Sequence, residues 1–302
     1  MIALQARANG ELSHRMGNPI EAALVSFGSG LIIITLISAF TPAIRNGMRN
    51  LRSAVSRKEI PVWTLFAGML GKIFVAVQTQ IVPIIGVAIY SVASIAGQTA
   101  ASLMVDRIGL TGGGKKPITT RRFTAAAVTV LAVFVSVIDR LEAENLSLFA
   151  VLFGCFAGSI VGVQRALNGQ INESTRQSFA TSWLNFIMGT TFLVTFLTIG
   201  VLINRAELVA LPSGPWWMYT GGTIGVIYIA FTSTIVQHLG VLTFTLISVG
   251  GQLVGSLLID LYSPTQGVQI SAYLVTGIVM TYIGIIVGGV GNLPKRKLKK
   301  QL

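Results

Sequence analysis

Gly97-Gln-Thr-Ala-Ala-Ser-Leu-Met-Val-Asp106 returns later in the chain as Gly251-Gln-Leu-Val-Gly-Ser-Leu-Leu-Ile-Asp260, with Gly, Gln, Ser, Leu and Asp at the same places. The windows stand 154 positions apart, and that offset also aligns Pro61 with Pro215, Trp63 with Trp217, Gly68 with Gly222, Gly71 with Gly225 and Gly86 with Gly240. A second offset, 159, aligns Gln5 with Gln164, Asn9 with Asn168, Gly10 with Gly169, Phe27 with Phe186 and Gly30 with Gly189. Chance does not hold one register over about 45 residues. The five-residue change of offset falls between Gly30 and Pro61, where a loop absorbs it at small entropic cost. The chain is a duplication.

Composition fixes the solvent. Apolar residues make up 52% of the 302, charged residues 11%, and the mean hydropathy is +0.74. A soluble protein of this length needs more charge to cover its surface. The apolar runs are close to 20 residues long, as membrane helices require, rather than the alternating segments of about 10 that build outer-membrane barrels. The sequence therefore predicts an all-α integral membrane protein. The single cysteine, Cys155, excludes an intrachain disulfide and reads as a small packing residue.

Nine spans are expected near 19–41, 62–82, 84–105, 123–138, 146–167, 179–203, 216–236, 241–261 and 271–290. Turn chemistry at Pro42, Pro83, Gly112-Gly-Gly114 with Pro117, Pro212 to Pro215, and Pro264 separates several of them. Residues 1–14 read as the end of a tenth. Met1 aligns with Ile160, so about 14 residues of that first span are expected to be missing and the chain to begin at an internal methionine. The fold class is thus a ten-helix bundle with a truncated first helix, built from two five-helix repeats. The first repeat is 1–140, the second 141–291, and 292–302 is a basic tail.

Five spans per repeat force the second half to enter the membrane from the opposite side, so the repeats are inverted. Basic residues agree. With the amino terminus inside, the inner segments carry Arg45, Arg49, Arg52, Arg57 and Lys58; Arg107, Lys115, Lys116, Arg121 and Arg122; Arg176; and Lys295, Arg296, Lys297, Lys299 and Lys300. That is sixteen of 22, against Arg15, Arg140 and Arg205 outside, and it places both termini in the cytoplasm. The net charge of +12 then reflects orientation and contact with anionic lipid, not nucleic acid, because no basic domain with interleaved aromatics is present.

The Gln-x3-Asn-Gly entry, the Pro-x-Trp before Gly-x2-Gly, and the twice-used Gly-Gln-x3-Ser-Leu-x2-Asp signature resemble the bacterial YdcZ-like members of the drug/metabolite transporter superfamily. The resemblance covers the chain apart from the missing start. It implies a multi-pass carrier of the bacterial plasma (inner) membrane with two inverted five-helix repeats.

Gln98 and Gln252 stand near the middle of their spans, where an unsatisfied amide costs several kcal/mol. Repeat-related polar groups at the midplane are where such carriers hold substrate, and an amide offers both donors and acceptors. The alternative is that each bonds a neighbouring helix as structural glue. Gln5 with Asn9, and Gln164 with Asn168, lie at i and i+4 on one helix face, and either line the cavity or pack. Lys72 sits within its span with Val226 as its counterpart. It reads as a counter-ion for an anionic solute or a proton-linked group, or else as a snorkelling or carboxylate-paired lysine. Arg7 and Arg165 are placed near span ends, where they can snorkel. Asp106 and Asp260 close the signature at span ends and read as caps or partners of basic loops. The Gly154-x3-Gly158-x3-Gly162, Gly251-x3-Gly255 and Gly284-x3-Gly288 steps let helices approach closely, the last one in dimerisation or within the chain.

Two histidines, one cysteine and no paired carboxylates within a span do not make an enzyme, and Gly112-Gly-Gly-Lys115 lacks Walker spacing. No catalytic residue, metal site or cofactor is expected. The reading is a secondary carrier of a small polar or amphipathic metabolite or drug working by alternating access, with export the expected direction. The substrate site would draw on Gln98, Gln252, Gln5, Gln164, Asn9, Asn168 and Lys72, with the bilayer and a second copy as partners. The alternative is a non-transporting scaffold or sensor component.

Overall fold

The computed structural model describes residues 1–136, 138, 148–203, 208–262 and 271–287, with side chains except at 2, 75, 76, 78–89, 256 and 260. The expected linker at Asp139–Asn145, the loop residues 204–207 and 263–270, Gly288, the tail and the Asp260 side chain lie outside that set. Ten α-helices order the rest: α1 Ile2–Met16, α2 Pro19–Phe40, α3 Pro42–Ser56, α4 Ala67–Ile108, α5 Thr120–Ser136, α6 Leu148–Thr175, α7 Ser178–Leu202, α8 Gly221–Leu239, α9 Val241–Tyr262 and α10 Ala272–Val287. Among the described residues, five stretches are long and apolar enough to cross a membrane: α2, α6, α7, Trp216–Leu239 and Val241–Ile259.

Burial runs opposite to that of a soluble protein. Ser26, Thr99, Ser102, Thr129, Asn168, Asn185 and Thr245 are buried, while Ile32, Phe40, Phe149, Phe156, Phe231 and Ile286 stand exposed. Hydrocarbon suits the outer side chains, and most of the polar ones find partners inside.

The duplication reappears in the helix boundaries. Turns of 3-10 helix at Val62–Phe66 and Trp216–Thr220 follow Pro61 and Pro215. They lead into α4 at Ala67 and α8 at Gly221, 154 apart. At offset 159, α2 opens at Pro19 and α7 at Ser178. Their preceding side chains are both caps: Asn18 Oδ1 accepts from the N–H groups of Ile20 and Glu21, and Gln177 Oε1 from that of Phe179. One residue earlier, Gly17 and Arg176 both adopt the left-handed conformation, φ 63° and 51°.

Two expectations need correction. The spans expected at 62–82 and 84–105 belong to one helical element, α4, with no end at Pro83. A proline removes one intrahelical bond, and membrane helices tolerate it. The element nevertheless doubles back. The Phe74 and Tyr90 rings lie 6.1 Å apart, whereas a straight helix would hold positions sixteen apart about 24 Å from each other. Residue 67 and residue 105 accordingly both pack near Leu167 and Ala166 of α6. The second half makes its reversal at Gly240, and there Tyr228 and Phe244, the counterparts of Phe74 and Tyr90, lie 6.4 Å apart. The second correction is α3, which occupies the basic inner segment before Pro61, where a loop is expected. Ile44, Gly47, Leu51 and Ala54 recur at helical spacing and are buried against α6 and α7, and Arg45, Arg49 and Arg52 stay exposed.

Glycine sets the closest contacts. In the seam of α4 and α6, a side chain at Gly97 would strike the Cys155 carbonyl, and one at Gly158 the Ser94 carbonyl. The Gly154-x3-Gly158-x3-Gly162 step is thus an intramolecular packing face. Repeat-related helices also meet antiparallel. Gly277 faces Ala132 and Ser136 while Gly284 faces Ala125 and Thr129, joining α10 to α5. Ser102 meets Thr245 while Asp106 meets Val241, joining α4 to α9.

Candidate substrate site

Two polar half-sites lie where the first helix of each half meets the opening of a glycine-rich helix of the other half. In one, Gln5 Nε2 donates to the Gly221 carbonyl at 3.2 Å, and its amide lies so near Gly225 that an added Cβ would stand 2.6 Å away. In the other, Gln164 fills the space beside Gly71, 3.0 Å from where a Cβ would be. Asn9 packs on Gly221 near Ser26, and Asn9 Oδ1 and Ser26 Oγ are buried without a hydrogen-bond partner. Their counterparts Asn168 and Asn185 do bond. Asn185 Nδ2 donates to Asn168 Oδ1 at 2.8 Å and to the Thr181 carbonyl at 3.0 Å, leaving Asn185 Oδ1 unpartnered. The structure therefore brings Gln5 with Asn9, and Gln164 with Asn168, onto shared faces. It adds Ser26 and Asn185, which the sequence reading missed although they stand 159 apart.

Between the half-sites α2 crosses α7. The Phe27 and Phe186 rings stack with centroids 4.8 Å apart, Phe27 against Gly189 and Phe186 against Gly30. Lys72 enters this crossing from α4. It is buried, and its Nζ lies 2.6 Å from the Phe27 centroid. The described ion pairs are Arg15–Glu11, Arg57–Glu59 and Arg122–Asp106, so Lys72 is held by a ring and not by a carboxylate. Such a contact is worth about 0.5–2 kcal/mol.

Arg165 corrects another expectation. It was placed near a span end, but α6 continues to Thr175, so the guanidinium sits inside the bundle at 9% exposure. Arg165 Nη1 donates to Thr245 Oγ1 at 2.9 Å, Nη2 faces the Tyr228 hydroxyl at 3.5 Å, and the group lies 5.5 Å from the Phe244 centroid. Arg7 is half-buried in α1.

The signature residues divide between packing and capping. Gln98 is half-buried, and its carbonyl accepts from Ser102 Oγ at 2.5 Å; Gln252 is exposed. The two amides do not bond each other. A Cβ at Gly97 is blocked by α6, while one at Gly251 meets nothing within 4 Å, although Gly255 touches Ala3 as Gly162 touches Ala101. Asp106 receives the Val241 N–H at 2.7 Å and the Leu242 N–H at 3.1 Å, and pairs with Arg122. It caps α9 and pairs with a basic residue in the first turn of α5.

Two adjoining cavities of about 510 and 560 Å³ open at the end of the bundle where α3, α6 and the loop after α4 converge, and they share Gly112, Glu173 and Arg176. Among the described residues, His, Cys, Asp and Glu do not gather in groups of three or more that could hold a metal.

A known family accounts for both halves of the chain. Its model, described as "Putative inner membrane exporter, YdcZ", matches residues 1–135 and again 149–287. The chain belongs to this family. The two matches divide where the repeats do, and a YdcZ-family chain is a membrane protein of exporter type rather than a member of an enzyme family. No curated protein matches the chain.

Proposed function

We propose that the protein is a secondary carrier that moves a small polar or amphipathic solute outward across the inner membrane by alternating access, with inverted halves rocking about a site at the α2/α7 crossing. One observation carries this reading: the two repeat-related polar half-sites flank a buried cation, Lys72, on the Phe27/Phe186 stack. Pseudo-symmetric polar groups around a solute position are what two rocking halves share. The antiparallel packing of α5 on α10 and of α4 on α9 supports inversion, since helices related by an in-plane axis run in opposite directions. Gln5, Asn9, Gln164, Asn168 and Lys72 are the proposed contacts of the solute, with Gln98 and Gln252 on the adjoining signature helices. The basic residues of the loops and α3 support a cytoplasmic cavity end, and with it cytoplasmic termini.

The reading is tested with purified protein in liposomes, assayed for flux of a metabolite and drug panel. Native protein should move at least one solute, and the Gln98→Ala/Gln252→Ala protein should not. A double variant with unchanged flux removes the glutamines from the site, and native protein inert to the whole panel counts against a carrier.

A further inference from the structure

Arg165 is a buried cation without a counter-charge. Its planar guanidinium carries five N–H donors. Thr245 takes one, the Tyr228 hydroxyl lies at the limit of a second, and Phe244 offers only a ring. The acceptors are neutral, and the Thr245 hydroxyl is itself 3.1 Å from Ser102 Oγ. The described carboxylates are committed elsewhere: Glu11 to Arg15, Glu59 to Arg57, Asp106 to Arg122, Glu21 to the Val209 N–H, and Glu173 to the cavity rim beside Gly112. Three guanidinium N–H groups thus have no acceptor among the described residues. A charge held this way inside a membrane is costly unless something else completes it.

We propose that Arg165 is the anion anchor of the transport site, and that the solute carries a carboxylate or phosphate on an apolar or aromatic body. This rests on the carrier reading above. Two parallel N–H groups fit the two oxygens of either anion, which an ammonium cannot match. Tyr228 and Phe244, 6.4 Å apart, form the apolar wall beside it. The contact of Gly71 with Gln164 sets Lys72 and Arg165, one position further along each helix, at one depth. Lys72 turns to the Phe27 ring and Arg165 to Thr245 and Phe244, and an anion entering beside either meets no carboxylate of the described set.

The test measures thermal unfolding of detergent-purified protein with millimolar sodium benzoate, succinate or phosphate, and with choline or tetraphenylphosphonium as comparators. A ligand of the native state raises the unfolding temperature by mass action. At least one of the three anions should raise it and neither cation should. The shift should vanish in Arg165→Met, weaken about tenfold in apparent affinity in Arg165→Lys, which keeps charge without the fork, and persist in Arg49→Met on the exposed face of α3. If Arg165→Met does not fold, Arg165→Lys and Thr245→Val decide: an unchanged anion shift in both overturns the proposal. So does a response to cations alone or to no anion. Benzoate and succinate against phosphate separate the two anion chemistries. Flux in liposomes separates the layers of argument: transport of tetraphenylphosphonium without an anion response sinks the anchor and leaves the carrier. Anion binding lost in Arg165→Met, with no flux of that anion, sinks the carrier and leaves the anchor.

Discussion

Phe27 and Phe186 lie face to face, centroids 4.8 Å apart and planes 23° from parallel, and each ring covers the glycine three residues beyond its partner. A Phe-x2-Gly pair used twice and meeting itself is the contact that a twofold axis requires: residue i on j, and j on i. The two copies of the motif meet at these rings. Lys72 breaks the symmetry there, since its counterpart Val226 is a buried apolar residue whose carbonyl accepts from Ser182 Oγ at 2.8 Å.

The stack predicts coupling between distant positions of the chain. Phe186→Ala empties a fully buried site and should cost about 3–5 kcal/mol, read as the unfolding free energy in detergent. Phe27→Leu and Phe186→Leu keep most of the volume, so their cycle isolates the ring contact. The double variant should depart from additivity by about 1 kcal/mol. Strict additivity would mean that the rings do not stack.

Lys72 should matter to transport and not to folding. Methionine has a similar length and no charge to desolvate, so Lys72→Met should unfold at or above the native temperature. Flux of any solute found in liposomes should fall at least about tenfold, the loss expected when one charged contact worth about 1.4 kcal/mol disappears. Native flux in this variant would assign Lys72 to packing.

Repeat-related glycines should respond unequally. A methyl at Gly97 runs into the Cys155 carbonyl, whereas one at Gly251 meets nothing within 4 Å. Gly97→Ala should therefore destabilise by about 1–3 kcal/mol, the range for overpacking a close contact, and Gly251→Ala should lie within about 0.5 kcal/mol of native. Equal effects would show that the face at Gly251 is covered as the face at Gly97 is.

These contrasts mark what a sequence can carry. Duplication was legible because offsets of 154 and 159 preserve the residues that set helix starts: Pro61 and Pro215 before the 3-10 turns, Asn18 and Gln177 as caps. The half-sites were partly legible, because Gln5, Asn9, Gln164 and Asn168 share their spacing, but Ser26 and Asn185 differ in type and gave no match. The depth of Arg165 was not legible: apolarity fades at Leu167, while backbone bonding carries α6 on to Thr175 through polar residues that other helices satisfy. The helix at 42–56 was hidden by its arginines, whose charge masks the apolar spacing of Ile44, Leu51 and Ala54.

Asp106 ties the halves together, and its removal should exceed the loss of an ordinary cap. The carboxylate is fully buried, holds the Val241 and Leu242 N–H groups, and pairs with Arg122. Asp106→Ala should cost about 3 kcal/mol, because it leaves two buried amides without an acceptor and Arg122 without its counter-charge. Asp106→Asn keeps an acceptor for the amides and should cost less. A melting temperature for Asp106→Ala equal to that of Asp106→Asn would show that the ion pair contributes nothing.

The turns before α2 and α7 offer the last contrast. Gly17 and Arg176 share a left-handed backbone, φ 63° and 51°, that costs an L side chain about 1–2 kcal/mol. At Gly17 a Cβ meets nothing within 4 Å, so the penalty for Gly17→Ala is conformational alone and should be about 1 kcal/mol. At Arg176 the strain is already present, held by the Thr175 hydroxyl, which accepts from the Gln177 N–H at 3.2 Å and lies 3.2 Å from Thr181 Oγ1. Arg176→Gly should therefore raise stability by up to about 1 kcal/mol, while Thr175→Val, which removes the hydroxyl but keeps the shape, should lower it. A stabilised Gly17→Ala or a destabilised Arg176→Gly would show that the two turns do not share one backbone, and that the register of 159 stops short of them.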